Sequence, residues 1–271
     1  MYLMNPIALL TQHDKARAIG PALEGAGFAV VTVDGFDTDT FGTFTGETAR
    51  LGSQLDAATA KARKACEISG ERFGLGSEGS FGPDPYVGIS SWARELLVWW
   101  DAEEERAVYA LVQGGATNYV QCTVSKWQEA QAFAMQVQFP AHGIIVGKPG
   151  EAHFSKDISD LQELQARVIQ GLATGPMWLE TDMRAHRNPT RMAMIALCAE
   201  QLSNLLQRPC PGCKRIGFGL ESPVAGALCS QCGLPTLAMR AKRIQCGVCN
   251  FSLEEAVRAT VPPSRCERCN P

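Results

Sequence analysis

Apolar positions fall along the chain in short blocks separated by polar turns, and the spacing within each block predicts an element. Residues 7–10 and 28–33 are continuous apolar runs of the kind found in buried strands, and the polar stretch from Thr11 to Lys15 leads from the first into a helix beginning near Asp14. Strand, helix and strand in that order open an α/β domain with parallel pairing. Residues 34–51 lack periodicity and are rich in Gly, Thr and Asp, which predicts a long loop, and its aromatics argue against disorder.

Ser53, Asp56 and Gly70 bracket a helical pattern over residues 54–69 with a capped start and a glycine stop. Residues 73–77 then predict a strand ending in the glycine loop 78–82, which places Glu78 at a strand end. Residues 95–100 and 107–113, joined by an acidic turn, predict a hairpin, and residues 119–124, 142–148 and 177–180 predict further strands. Helices are predicted after Ser125 as a cap, to about residue 138, and over residues 160–173. Asn188 as N-cap and Pro189 at the first helical position open a last helix that reaches about residue 206. The expected fold is therefore α/β with a mixed sheet over residues 1–207.

The tail, residues 208–271, follows a different rule. Eight of the eleven cysteines lie there as Cys210/Cys213, Cys229/Cys232, Cys246/Cys249 and Cys266/Cys269, while Cys66, Cys122 and Cys198 are scattered and read as buried small hydrophobes. Each Cys-x-x-Cys turn sets two sulfurs on one side of a knuckle, and two knuckles complete a tetrahedral site, so four knuckles predict two structural zinc ions. No histidine follows His186, which makes both sites all-cysteine. Gaps of 15, 13 and 16 residues between knuckles favour sequential pairing, first with second and third with fourth. A nested arrangement, with the second and third knuckles in one ribbon hairpin, is the rival, and an interleaved one is also open. Either way a small double zinc-ribbon module is expected, with folding coupled to the metal.

At 45% hydrophobic and 20% charged residues, the chain is neither disordered nor a charge-rich coiled coil. Its apolar runs fall far short of the roughly 20 residues that a membrane helix needs, so no membrane partner is expected. No basic residue precedes the first apolar stretch, which therefore reads as a strand rather than a signal peptide, and a cytoplasmic location is the expectation. Residues 1–207 carry 16 basic against 24 acidic residues, and residues 208–271 carry 9 against 4. Two zinc ions on eight thiolates would bring that basic tail to about +1, so its excess mostly balances the metal sites.

Candidate chemistry in the large domain lies at element ends, in Lys15, Glu47, Asp56, Glu78, Asp182, Arg184, His186, Arg187 and Arg191. Each alone also fits a structural role: Asp56 as a capping carboxylate beside Ser53, Lys15 as a solvated first-turn residue. Residues 182–191 are more telling, because they set His186, Arg187 and Arg191 around a helix N-terminus, where free N–H groups and the dipole favour a phosphate. A surface cluster paired with Asp182 and Glu180 is the alternative.

These motifs come in a familiar order. Thr11-Gln-His-Asp-Lys15, Asp56-Ala-Ala-Thr-Ala-Lys61-Ala-Arg63, Ser77-Glu78-Gly79 and Ala185-His186-Arg187 together make residues 1–207 resemble the inosine triphosphate pyrophosphatase-like family. That family hydrolyses non-standard nucleoside triphosphates to monophosphate and pyrophosphate with magnesium. The resemblance implies its fold, a Mg²⁺ site at Asp56 and Glu78 with Glu47, and nucleotide binding by Lys15, His186, Arg187 and Arg191. Here His13 stands where the family has asparagine, Asp56 is shorter than its glutamate, Ala57 replaces its asparagine, and its paired loop acids are reduced to Glu78. The whole chain also resembles an uncharacterised bacterial family with the four cysteine pairs, which implies no activity. The alternative to an enzyme is a nucleotide sensor or scaffold whose ribbons bind a protein or nucleic acid, with Arg240, Lys242 and Arg243 as the best basic cluster.

Overall fold

The computed structural model describes residues 4–11, 13–33, 52–151 and 154–270. The chain divides into two compact units, Met1–Ser203 and Asn204–Pro271, a few residues before the boundary expected after residue 207.

In the first unit β1 (Asn5–Leu10) leads through α1 (Ala16–Glu24) to β2 (Phe28–Val33), which lies parallel beside it. After α2 (Gln54–Ser69), β3 (Phe73–Pro83) takes the other side of β1, also parallel, with Leu9 opposite Leu75. β4 (Ser91–Asp101) and β5 (Arg106–Gly114) add an antiparallel meander, as the predicted hairpin requires, and the sheet order is β2-β1-β3-β4-β5. The connection from β1 to β2 runs one way along the sheet and the one from β2 to β3 returns past β1, so the switch point lies between β1 and β3.

Ser53 and Asp56 form a reciprocal capping box at the start of α2, and Gly70 ends the helix in the left-handed conformation. The buried face of α2 is Ala57, Ala58, Ala62 and Ala65, and it rests on glycines of β3. A Cβ on Gly74 would lie 2.0 Å from the Ala62 carbonyl oxygen, and one on Gly76 would lie 1.8 Å from that of Ala58. Only bare backbone lets helix and strand approach so closely, and the approach sets Lys61 over Glu78. β3 also corrects the expected strand end at residue 77. It continues to Pro83 with Glu78 opposite Leu96 of β4, so Glu78 is a mid-strand residue and not part of a loop.

A second sheet is wholly antiparallel. Its strands β6 (Gln121–Val124), β7 (Ile144–Gly147), β8 (Phe154–Ser155) and β9 (Met177–Thr181) run in the order β6-β9-β7-β8. With α3 (Trp127–Gln136) and α4 (Leu161–Leu172) it encloses a core containing Phe133, Ile144, Val146, Leu164 and Leu179, each worth about 1.5–3 kcal/mol of burial. Asp160 caps α4 by accepting from the Gln162 and Glu163 amides. Ser125 does not cap α3: Lys126 occupies that position without a side-chain bond, and the Ser125 amide donates to Glu129 instead. A 3-10 turn, Ala185–Arg187, precedes α5 (Pro189–Leu206), where Asn188 Oδ1 accepts from the Arg191 amide at 2.9 Å, the start predicted from Asn188-Pro189.

The second unit holds a meander of β10 (Leu220–Ala225), β12 (Met239–Gln245) and β13 (Ser252–Ala256), and a parallel pair of β11 (Leu228–Cys229) with β14 (Thr260–Val261). Its apolar cluster is small: Phe218 and Ile244, flanked by Phe251 and Leu253, pack around Cys210. No helix among the described residues is long and apolar enough to cross a membrane.

Candidate functional site

The four knuckles converge in two groups of four: Cys210, Cys213, Cys246 and Cys249, and Cys229, Cys232, Cys266 and Cys269. Both the sequential and the nested expectation are corrected, because the first knuckle joins the third and the second joins the fourth. Strand register is the reason. Leu220 pairs with Gln245, so the knuckle before β10 meets the knuckle after β12. Ala225 pairs with Met239 at the far end, and the parallel pair Cys229–Val261 brings the fourth knuckle to the second. The first and second knuckles are held apart by β10, a span of about 20 Å for six residues.

Sulfur separations of 3.7 Å for Cys210–Cys249, 3.7 Å for Cys213–Cys246, 3.7 Å for Cys232–Cys266 and 3.9 Å for Cys229–Cys269 exclude disulfides. They match the roughly 3.8 Å between sulfurs around a tetrahedral zinc with Zn–S near 2.3 Å. Amides of Gln231 on Cys229 Sγ, and of Val248 and Cys249 on Cys246 Sγ, each at 3.4 Å, would steady the thiolate charge. Both groups can therefore hold a zinc ion.

In the first unit Lys15 lies just beyond β1. Pairing of β1 with β3 ends at Leu9–Leu75, which leaves Ser77 without a parallel neighbour there, and Lys15 Nζ donates to Ser77 Oγ at 3.2 Å and its carbonyl at 3.5 Å. Around it stand two buried ion pairs on opposite faces of β3. Lys61 of α2 pairs with Glu78, and Arg191 of α5 donates to Glu95 at 2.7 Å and to the Met183 carbonyl. Burial first, then Arg191, pushes the Lys15 ammonium down to about 7, against the pull of Glu95 and Glu78. His13 stacks on His186 with ring centroids 5.0 Å apart. Burial first, then Lys15, His186, Arg191 and Arg184, pushes His13 down to about 4.

Of the residues singled out in the sequence, Lys15, Glu78, His186 and Arg191 thus belong to one cluster. The others are engaged with partners of their own or lie outside the described residues. Asp56 is exposed and its Oδ2 is taken up by the Ser53 amide and hydroxyl, bonds that hold its carboxyl below the usual range. Arg187 donates to the Ile158 carbonyl at 2.7 Å. Arg184 is clamped between Asp182 and Asp157, which pull its pKa up against burial, the largest effect. Glu47 and the loop 34–51 lie outside the described residues. In the tail, Arg240 and Arg243 both pair with Glu254 and Lys242 pairs with Glu221, so that basic strand is largely neutralised.

Sequence reasoning passed over Glu95, Lys61 and His13 as site members. Glu95 reads as the polar start of a strand, yet it is 1% exposed; the clue was only a carboxylate followed directly by Leu-Leu-Val-Trp-Trp. Outside the cysteine clusters, no three His, Cys, Asp or Glu side chains converge as metal ligands among the described residues. The family described as a domain of unknown function (DUF6671) matches residues 61–271. No curated protein matches the chain.

Proposed function

We propose, for a chain that belongs to the DUF6671 family, that the first unit binds the phosphate groups of a nucleotide and that the second is held folded by two zinc ions. One observation carries the first half: Lys15 is buried at the carboxyl end of β1, at the switch point of the sheet, among Lys61, Arg191, His13 and His186, with Glu78 and Glu95 as the nearby carboxylates. Open α/β sheets take their ligands in that crevice. When Lys15 is protonated, three buried cations face two buried anions, and a phosphate group supplies the missing negative charge. For the second half, the sulfur geometry suits zinc, and the apolar cluster of the tail is too small to order it without metal.

Hydrolysis with magnesium, and with it the pyrophosphatase fold that the resemblance implies, is a second reading of the same site. Gln54 favours it: its amide donates to the Glu78 carbonyl at 2.9 Å and so ties the Asp56 helix start to the Glu78 strand. The described carboxylates nevertheless do not form a magnesium site, since Asp56 is engaged as a cap and the metal would have to displace Lys61 from Glu78. Binding therefore stands ahead of turnover. A protein or nucleic-acid partner for the ribbons has less support, given the ion pairs along β12.

The test is a screen of the zinc-loaded full chain against standard, deaminated and oxidised nucleoside triphosphates with magnesium, reading thermal shift and pyrophosphate release together. A shift without release supports binding alone, release adds the hydrolase reading, and neither with any nucleotide overturns both.

A further inference from the structure

His13 and His186 come from opposite ends of the first unit, one from the connection after β1 and one from the turn before α5, yet their rings stack at an interplanar angle of 29°. Their surroundings are cationic. His13 is faced by Lys15 of its own connection, by His186, by Arg191 of α5 and by Arg184. His186 is faced by Arg184 and Arg187, offset by Asp182 and Asp157. His13 Nδ1 is buried and has no hydrogen-bond partner among the described residues. Burial and the facing cations hold both stacked imidazoles below their usual range, because protonating either adds like charge to a cationic site.

We infer that this stacked pair is the proton-accepting part of the phosphate site: when a phosphoanion binds beside Lys15, the pair takes up one proton from solvent and holds the anion as an imidazolium donor. The inference rests on the phosphate-binding reading and adds a specificity to it. Neutral pair, anion and proton go to charged pair with bound anion, so no other reactant is needed. A site of this kind discriminates by charge. A phosphoanion restores the balance that lets the pair ionise, whereas an uncharged ligand of the same shape does not. Burial holds both imidazoles below their usual range in the free protein, so each has a proton to gain near neutrality. The asparagine that the resembling family carries in place of His13 could not take part, so this would be a property of chains with histidine there.

Lys15 also gains charge on binding, because its ammonium is held down to about 7. Net proton uptake therefore does not separate it from the histidines, but their resonances do. The chain has four histidines, His13, His142, His153 and His186. Their Cε1–H signals in the full zinc-loaded chain, assigned by single His→Gln variants, are followed over about pH 3 to 8 with and without inorganic pyrophosphate. The expected result is that pyrophosphate raises the midpoints of His13 and His186 by about one unit or more, with His142, bonded to Thr190 Oγ1 at 2.9 Å, unmoved. Sulfate, whose charge is constant over neutral pH, should bind up to about tenfold more weakly per pH unit for each proton taken up, and His13→Asn should lessen that dependence while Lys15 keeps its share. Pyrophosphate binding that leaves both midpoints in place removes this inference and leaves the phosphate site standing. No binding of either anion at any pH overturns both. Should His13→Asn not fold, the wild-type resonances decide.

Discussion

Arg191 Nε and Glu95 Oε1 meet at 2.7 Å with both side chains shielded from water, although the residues are 96 positions apart. Gly79 makes room for them: a Cβ there would lie 2.4 Å from Arg191 Nη2 and 2.7 Å from Glu95 Oε1. Removing one partner strands the other charge in the core, so Arg191→Met and Glu95→Gln should each cost about 3–5 kcal/mol in urea unfolding. The double variant should lose less than the sum by about 1 kcal/mol or more. Strictly additive losses would mean that the pair does not act as one.

Lys15 has the opposite signature. With Lys15 gone, Glu78 keeps Lys61 and Glu95 keeps Arg191, so Lys15→Met should stabilise the fold by about 1–2 kcal/mol. The pH dependence follows from its lowered pKa. Between about 7 in the folded chain and the ordinary lysine value of 10.5, the unfolded chain holds the extra proton, so stability rises with pH across that window. Thermal melts from neutral to alkaline pH should show this rise in the wild type and lack it in Lys15→Met.

Interleaved zinc pairing is separable from sequential pairing by composition alone. Cys213 and Cys246 belong to one cluster, so the double variant Cys213→Ser, Cys246→Ser should retain about one of two zinc equivalents by elemental analysis. Sequential pairing would place the two substitutions in different sites and compromise both.

What could be read from the sequence was local. Ser53, Asp56 and Gly70 mark the ends of α2, and Asn188-Pro189 marks the start of α5, because caps act within one turn. The eight cysteines were equally legible as ligands. Their pairing was not, because it depends on the register that sets Leu220 against Gln245 and on the β11–β14 contact, neither of which gap lengths record. Gly79 and Gly82 made β3 look as though it stopped at Ser77, yet the strand runs on to Pro83, where Gly79 admits Arg191 and Glu95. His13 and His186 could be noticed singly, but the two stacked rings are 173 positions apart in the chain.

Isothermal titration of inorganic triphosphate into the zinc-loaded full chain and into Lys15→Met tests whether Lys15 builds a phosphate site at the switch point. Saturable binding is expected at about one site per chain, weakened by about tenfold or more in a Lys15→Met protein that is no less stable than the wild type. Equal affinity in the two proteins, or no binding to the wild type, would contradict it.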